Sequence, residues 1–330
     1  MGREKNNMGV TMGFTFSKKI LSWVCGLLFL LSFSNVYALD CSKARSETEK
    51  AMCAEPSLVT QNAYLESLYL GIYNGLRNIS ADLARQLMMS ERQWIKERDS
   101  KCRASKECIS YELYSRANDL YEWGKKGNLV SDNRGKELTG SDLYRVGTKF
   151  VALVKVRSAS GSNLGSAVKL WREHFLTNQH VVDGATEVEV EFQGRRYKGT
   201  VVAKNPKLDL AAIHVPGVPQ EAWTIAPLYE VAPGQPVYAL GNPGGLTQTI
   251  SNGIVSAIRE DQYGGGFMVI QNTAPISPGS SGGALIDQYG RVVGITTYSR
   301  IKGPASTVEP QLINFSIPVE QVMTLVVGQR

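Results

Sequence analysis

The chain has 330 residues, with 36 Lys and Arg against 30 Asp and Glu, 43% hydrophobic and 20% charged residues. With 32 Gly and 13 Pro, that balance excludes a wholly disordered chain, a collagen-like fibre and a coiled coil, and the length allows two domains. The formal charge of +6 and the odd count of five cysteines would point to an anionic partner and a free thiol, but only if both features belong to the mature protein.

Lys18 and Lys19 precede an apolar run from Ile20 to Phe33, followed by Ser34, Asn35 and the small-residue ending Val36-Tyr37-Ala38. A charged start, an apolar middle and a small-residue end make a secretory signal, with cleavage expected after Ala38. The run is shorter than the ~20 residues of a membrane-crossing helix, and no later stretch is long enough, so no stable span is expected after processing. An uncleaved anchor is the alternative reading of the same run. Asp40 before Cys41 argues against a lipoprotein signal, which wants a small residue there. Removing residues 1–38 takes Arg3, Lys5, Lys18, Lys19 and Glu4, leaving 32 basic and 29 acidic side chains, a net charge of +3. That is too small and too dispersed to argue for nucleic acid.

The same cut removes Cys25 and leaves Cys41, Cys53, Cys102 and Cys108. An even set in an exported chain suggests two disulfides. Four cysteines allow three pairings; the simplest local closure joins Cys41 to Cys53 and Cys102 to Cys108, and spacing alone leaves the others open. The spacings of 12 and 6 lack the close pairs of a zinc site, and no metal is expected. The expected location is the bacterial periplasm or the medium.

Residues 40–123 hold only two glycines, Gly71 and Gly75, and many helix formers. Leu65, Leu68, Ile72 and Leu76 share one face, as do Leu83, Leu87 and Trp94, then Ile109, Leu113, Leu120 and Trp123, which predicts three amphipathic helices in a domain over 39–123. Ser80 or Asp82 can cap the second, and Pro56 separates a first short turn from the long helix. Asp40-Cys41, Glu49 with Cys53, Gln93-Trp94, Arg98-Asp99, Cys102 and Cys108 together resemble the N-terminal domain of the lysozyme-inhibitor LprI type, over about 85 residues. The resemblance implies a small cysteine-containing helical module of exported bacterial proteins, and a lysozyme or another envelope protein as partner. Read as residues alone, Trp94 and the cysteines are core and staples.

Residues 124–143, with Lys125, Lys126, Gly127, Asn128, Ser131, Asp132, Asn133 and Gly135, lack apolar periodicity and read as an exposed linker. From Tyr144 to the end at residue 330 the texture is β. Short runs at Phe150–Val156, Glu187–Phe192, Thr200–Ala203, Pro236–Leu240, Phe267–Ile270 and Val292–Thr297 are punctuated by Gly and Pro, with helix expected only at Val319–Val327. This favours a sandwich or barrel, so the expected chain is multidomain: a small all-α disulfide-stapled helical domain, then an all-β region.

Amide hydrolysis by serine needs a hydroxyl nucleophile, an imidazole base, a carboxylate that holds the imidazole, and donors for the oxyanion. Phe175-Leu176-Thr177-Asn178-Gln179-His180-Val181-Val182 is an apolar strand ending in a polar turn with a histidine. Leu208-Asp209-Leu210-Ala211-Ala212-Ile213 embeds a carboxylate in an apolar run, which is costly unless the carboxylate is bonded. Gly279-Ser280-Ser281-Gly282-Gly283 places serines in a glycine-bounded turn. In this order, with Gly165-Ser166-Ala167, Ala239-Leu240-Gly241-Asn242-Pro243-Gly244 and Asn314-Phe315-Ser316-Ile317-Pro318, the region resembles trypsin-like serine proteases of the HtrA/Deg type over residues 144–323.

The resemblance implies two packed β-barrels, Ser281 as nucleophile, His180 as base then acid, Asp209 orienting it, and the Gly279 and Ser281 N–H groups as oxyanion hole. Ser280 falls at the variable position of the Gly-x-Ser-Gly-Gly pattern. Val181 stands where many animal relatives carry a cysteine, so the barrels are expected to hold without disulfides. The PDZ domain common after such proteases, with its peptide capture, and the family's trimer are not carried over. Asn272 to Pro278 contains no acidic residue and no histidine follows His214, which together with the resemblance points to cleavage after small or medium aliphatic residues; the family's equivalent strands imply Ile276, Thr296, Thr297 and Ser316 as pocket walls. His174 and His214 read as structural, and no cofactor is expected. The competing reading is an envelope binding protein or lysozyme inhibitor whose protease-like domain is catalytically silent.

Overall fold

The structure is a computed structural model that describes residues 39–129, 134–159, 161–260, 267–297 and 312–322. The expected signal segment, residues 130–133 of the expected linker and the far end of the expected C-terminal helix lie outside the described residues. Within that last segment, Val319–Val322 is a 3-10 turn rather than an α-helix.

A 3-10 turn at Cys41–Lys43 leads to α1 (Glu47–Cys53), whose Ser46 cap and Glu49 form a reciprocal capping box. Pro56 opens α2 (Pro56–Ile79) at a position where its missing N–H costs nothing. Ser80, not Asp82, caps α3 (Ala81–Cys102), with its Oγ accepting the Leu83 N–H at 3.3 Å, while Asp82 sits in the first turn beside the positive end of the helix. Ser105 caps α4 (Lys106–Lys126).

The three expected helices are thus present, preceded by a short helix where a short turn is expected. The predicted stripes meet in one core of Leu65, Leu68, Ile72 and Leu76 from α2, Leu87 from α3, and Ile109, Leu113 and Leu120 from α4, closed by Met52 of α1. The disulfides are Cys41–Cys53 and Cys102–Cys108, with Cα atoms 5.6 and 5.2 Å apart, stapling the entry turn to α1 and the corner between α3 and α4. The Trp94, Arg98 and Asp99 positions form one internal cluster: the buried Arg98 guanidinium lies 5.0 Å from the Trp94 ring centre and donates to Asp99 at 2.7 Å.

The stretch expected as exposed linker carries structure at both ends. α4 runs to Lys126, and Thr139 caps α5 (Gly140–Gly147). Leu143 is fully buried in the core between the barrels, and the Leu138 N–H donates to the Gln288 carbonyl at 2.9 Å. A polar composition concealed two apolar anchors too few to create a periodic signal.

The β region forms two closed barrels of six antiparallel strands. β1 (Val151–Ser158), β2 (Gly161–Trp171), β3 (His174–Thr177), β4 (Ala185–Phe192), β5 (Arg195–Asn205) and β6 (Leu210–His214) close in the order β1-β2-β3-β6-β5-β4. β7 (Pro236–Gly241), β8 (Thr249–Glu260), β9 (Met268–Asn272), β10 (Ala284–Asp287), β11 (Val292–Thr296) and β12 (Asn314–Pro318) close in the order β10-β11-β12-β9-β8-β7. Closure removes free strand edges. Alternation sorts the side chains: Phe175 and Ile213 fill the first barrel, Val237 and Leu285 the second, while Leu176, Leu210, Leu240 and Ala284 face into a third core between them.

The helical region is seated on the second barrel. The Tyr114 hydroxyl donates to the Val231 carbonyl at 3.1 Å, the Asn118 amide donates to the Tyr229 carbonyl at 2.9 Å, and the Tyr121 and Tyr229 ring centres are 5.5 Å apart. Near this seat the buried Glu320 carboxyl accepts the Leu228 N–H at 2.6 Å, and burial pushes it from 4.5 up to about 7. Burial, then the Glu320 charge, raises the Tyr64 phenol, and burial, then Glu230 and Glu320, raises that of Tyr229.

A pKa raised by folding makes a contribution that is complete below pH 4.5 and is lost as pH climbs through about 7. The melting temperature is therefore expected to fall between pH 5 and pH 8. Glu320→Gln should flatten that dependence and melt above the wild type at pH 8, as read by calorimetry; an unchanged slope in the variant would refute the assignment.

Candidate active site

β3 ends at Thr177, and the chain turns through Asn178 into the 3-10 turn Gln179–Val181 that carries His180. β3 pairs with β6, with Thr177 opposite Ala211, so the residue just before β6 is brought beside that turn. This residue is Asp209, held in the left-handed region at φ +51°, a conformation that Asp tolerates better than most side chains. Its carbonyl accepts the Gln179 N–H at 3.1 Å and the Asn178 side-chain amide at 3.0 Å.

The carboxylate of Asp209 is almost fully buried and fully engaged. Oδ1 accepts the His180 backbone N–H at 3.0 Å, Oδ2 lies 2.8 Å from His180 Nδ1, and the Thr297 hydroxyl donates to Oδ2 at 3.2 Å. These donors answer the cost of a carboxylate in an apolar run. A carboxylate can only accept, so Nδ1 of the neutral imidazole carries the proton and Nε2 is left as the basic nitrogen.

The serine turn is fixed by bonds to nearly every peptide. The Pro278 carbonyl accepts the Gly244 N–H at 2.8 Å; the Ser280 carbonyl accepts the Gly283 N–H at 2.9 Å and the Thr296 hydroxyl at 2.7 Å. In a trans peptide the N–H points opposite to the C=O, so these bonds also aim the N–H groups of Gly279 and Ser281. Among the described residues, neither N–H donates to another protein group, so both are left for an incoming acceptor.

The two adjacent serines differ. Ser280 is buried and its Oγ accepts the Ser277 N–H at 3.2 Å, whereas Ser281 is only half-buried. Gly165 of β2 lies between the two turns: a Cβ there would meet Val181 at 2.5 Å and the Ser281 carbonyl at 3.3 Å. The histidine turn of the first barrel and the serine turn of the second are thereby neighbours across one glycine.

The four pocket candidates separate by what they touch. Ile276 is half-buried and packs on the core of the second barrel. Thr296 is buried and bonded to the Ser280 carbonyl, Ser316 is fully buried and accepts the Asn272 amide at 3.3 Å, and Thr297 reaches Asp209. No sequence pattern points to the contact from Thr297 to the aspartate, since a threonine at a strand end has no pattern of its own. His174 and His214 face each other at the opposite ends of β3 and β6, with ring centres 5.2 Å apart. Burial, then the neighbouring His214, holds the His174 imidazole below its ordinary range.

Comparison with known proteins gives a match for each of the two regions. Residues 159–295 match the family "Trypsin-like peptidase domain", and residues 41–128 match "Lysozyme inhibitor LprI". Among curated relatives, the serine endoprotease DegS of Haemophilus influenzae is 35% identical over 169 residues, 48% of each chain. A probable periplasmic serine endoprotease, DegP-like, of a Marinomonas species is 34% identical over 173 residues, 50% of this chain and 35% of the relative. This chain thus spans about half or less of the length of these relatives. Among solved structures, the HtrA-type protease AlgW with a tripeptide aligns at 32% identity and a TM-score of 0.52, over 58% of this chain and 63% of that one. The serine endoprotease from Yersinia pestis aligns at 28% identity and a TM-score of 0.50, over 59% and 67%.

The serine turn makes one stability prediction. Gly282 has φ +85°, and a Cβ on it would lie 2.1 Å from the Ser166 carbonyl oxygen and 2.3 Å from Thr177 Oγ1. Gly282→Ala should cost at least ~3 kcal/mol, combining overpacking with backbone strain. Denaturant unfolding checks this, and a variant as stable as the wild type would show that the turn is packed differently.

Proposed function

Because the chain joins an LprI-type helical domain to a trypsin-like peptidase domain of the HtrA type, we propose that it is an exported serine endopeptidase acting through Ser281, His180 and Asp209. The observation that carries this reading is the serine turn itself, with its carbonyls bonded inward and the Gly279 and Ser281 N–H groups unbonded, beside a histidine held by a buried carboxylate.

In the proposed reaction Ser281 Oγ attacks the scissile carbonyl carbon while its proton passes to His180 Nε2. Asp209 stabilises the imidazolium, and the two N–H groups bind the oxyanion of the tetrahedral intermediate. Collapse of that intermediate breaks the C–N bond as His180 returns the proton to the leaving amine. Water, deprotonated by His180, then attacks the acyl carbon, the ester C–O bond to Ser281 breaks, and His180 returns the proton to Ser281 Oγ.

Ile276, the apolar candidate with accessible surface, favours cleavage after small or medium aliphatic residues. Export is supported by the two disulfides, by the signal-like Lys18–Ala38 segment and by relatives named as periplasmic. Among the described residues no helix is long and apolar enough to cross a membrane.

The helical domain acts here as a docked recruitment or regulatory module. It bonds to the second barrel and also reaches the aspartate loop of the first, where Glu55 lies 3.6 Å from Lys207, two residues before Asp209. A second reading rests on the LprI match over residues 41–128, in which this module inhibits a lysozyme and the barrels are a scaffold.

Two assays separate these readings. A serine-directed fluorophosphonate should label the chain from residue 39 onward and its Ser280→Ala variant, but not Ser281→Ala; an unlabelled, folded wild type would sink the endopeptidase reading. Folded Ser281→Ala protein added to a lysozyme assay tests the second reading, which fails if lysis proceeds uninhibited. For specificity, peptides with Val or Ala before the scissile bond should be cut at least ~10-fold faster, in kcat/KM, than those with Arg or Glu. The reverse order would exclude an aliphatic pocket.

A further inference from the structure

Four consecutive peptide planes define the serine turn, and each is tied in part to the second barrel's own backbone or to Thr296. The plane between Gly279 and Ser280 is also held by a side chain from the first barrel. Its N–H donates to Ser277 within the turn, but its carbonyl accepts from a side chain of the first barrel: Ser166 of β2, whose Oγ lies 2.8 Å from the Gly279 oxygen.

The direction of that bond follows from the other partners of the hydroxyl. Ser166 Oγ is 2.8 Å from the Asn242 backbone N–H and 3.1 Å from the Asn242 side-chain amide nitrogen, and both groups can only donate. The single proton of the hydroxyl therefore goes to the Gly279 carbonyl. Asn242 is itself buried and held, donating through Nδ2 to the Ala152 carbonyl at 2.8 Å and accepting the Gln248 N–H at 3.0 Å through Oδ1.

The Ser166 main chain is committed to the same place. Its N–H donates to the Ser281 carbonyl at 2.8 Å, and its carbonyl accepts the Thr177 hydroxyl at 2.7 Å. Ser166 is fully buried, so each of these groups would be orphaned if the contact opened. One residue of the first barrel thus bonds both Gly279 and Ser281, the two residues whose N–H groups are left open.

We infer that Ser166 is the positioning residue of the oxyanion hole, setting the Gly279 and Ser281 donors from across the barrel interface without touching substrate itself. The inference rests on the endopeptidase reading, since it assigns those two N–H groups to an oxyanion. Loss of the Ser166 proton removes the one side-chain bond on the Gly279 carbonyl and loosens the peptide that lies between the two donor planes. Binding of a tetrahedral, anionic adduct then weakens, whereas binding of a planar ground-state amide does not.

The test compares a peptide boronic acid ending in valine, which forms a tetrahedral adduct with serine, with the matching peptide carboxamide, which does not. In Ser166→Ala the inhibition constant of the boronate should rise ~10–100-fold and fluorophosphonate labelling should slow to a similar extent. The carboxamide constant and the pH midpoint of labelling should stay at wild-type values. A collapsed site would move all four readouts together, and that pattern would overturn the inference, as would a folded Ser166→Ala protein with wild-type boronate affinity. If Ser166→Ala does not fold, Ser166→Cys, nearly isosteric but a weaker donor, must show the same selective loss at smaller size, and its absence has the same overturning force. A wild type that neither binds the boronate nor takes the label would instead remove the endopeptidase reading beneath the inference.

Discussion

A carboxylate buried in a barrel wall is tolerable only if the fold brings donors to it, and Asp209 organises the first barrel on those terms. Pairing of β3 with β6 sets the Gln179–Val181 turn beside Asp209, so that a backbone N–H and an imidazole Nδ1 of the same residue, His180, bond one carboxylate. The third donor, Thr297, follows β11 of the other barrel. The aspartate is thus satisfied only when both barrels are in place, and its bonds make the histidine's geometry a property of the whole β region.

The second barrel answers with a turn in which carbonyls are bonded and two N–H groups are not. Thr296 holds one face of that turn, and Ser166 of the first barrel holds another. Contacts across the interface therefore run in both directions, Thr297 toward the aspartate and Ser166 toward the serine turn. Between them the shared core of Leu176, Leu210, Leu240 and Ala284 excludes water and fixes the barrels' spacing. The helical domain adds a further layer, bonded to the 3-10 turn and loop around Tyr229 and Val231 rather than trailing on a tether.

Much of this is legible in the sequence alone. Helix stripes, the Ser80 cap and the all-β texture follow from periodicity and turn chemistry, and the two disulfides are the local closures. The histidine, aspartate and serine segments each stand in a recognisable setting of apolar strand and glycine-bounded turn. What stayed hidden depends on tertiary pairing: Leu138 and Leu143 anchor a stretch that reads as polar linker, and Thr297, expected in a pocket wall, bonds the aspartate. Ser166 was visible as part of a motif, but its hydroxyl's direction is set by Asn242, 76 positions away. No local pattern encodes such a bond.

The central claim is that Ser281 is the nucleophile and His180 its base. Peptide mapping by mass spectrometry after treatment with diisopropyl fluorophosphate tests it most directly. A single diisopropylphosphoryl adduct is expected on the peptide containing Ser281, with fluoride displaced, localised to that residue by fragmentation, absent from His180→Ala and slowed in Asp209→Asn. An adduct on Ser280, or one that forms at the wild-type rate without His180, would contradict it.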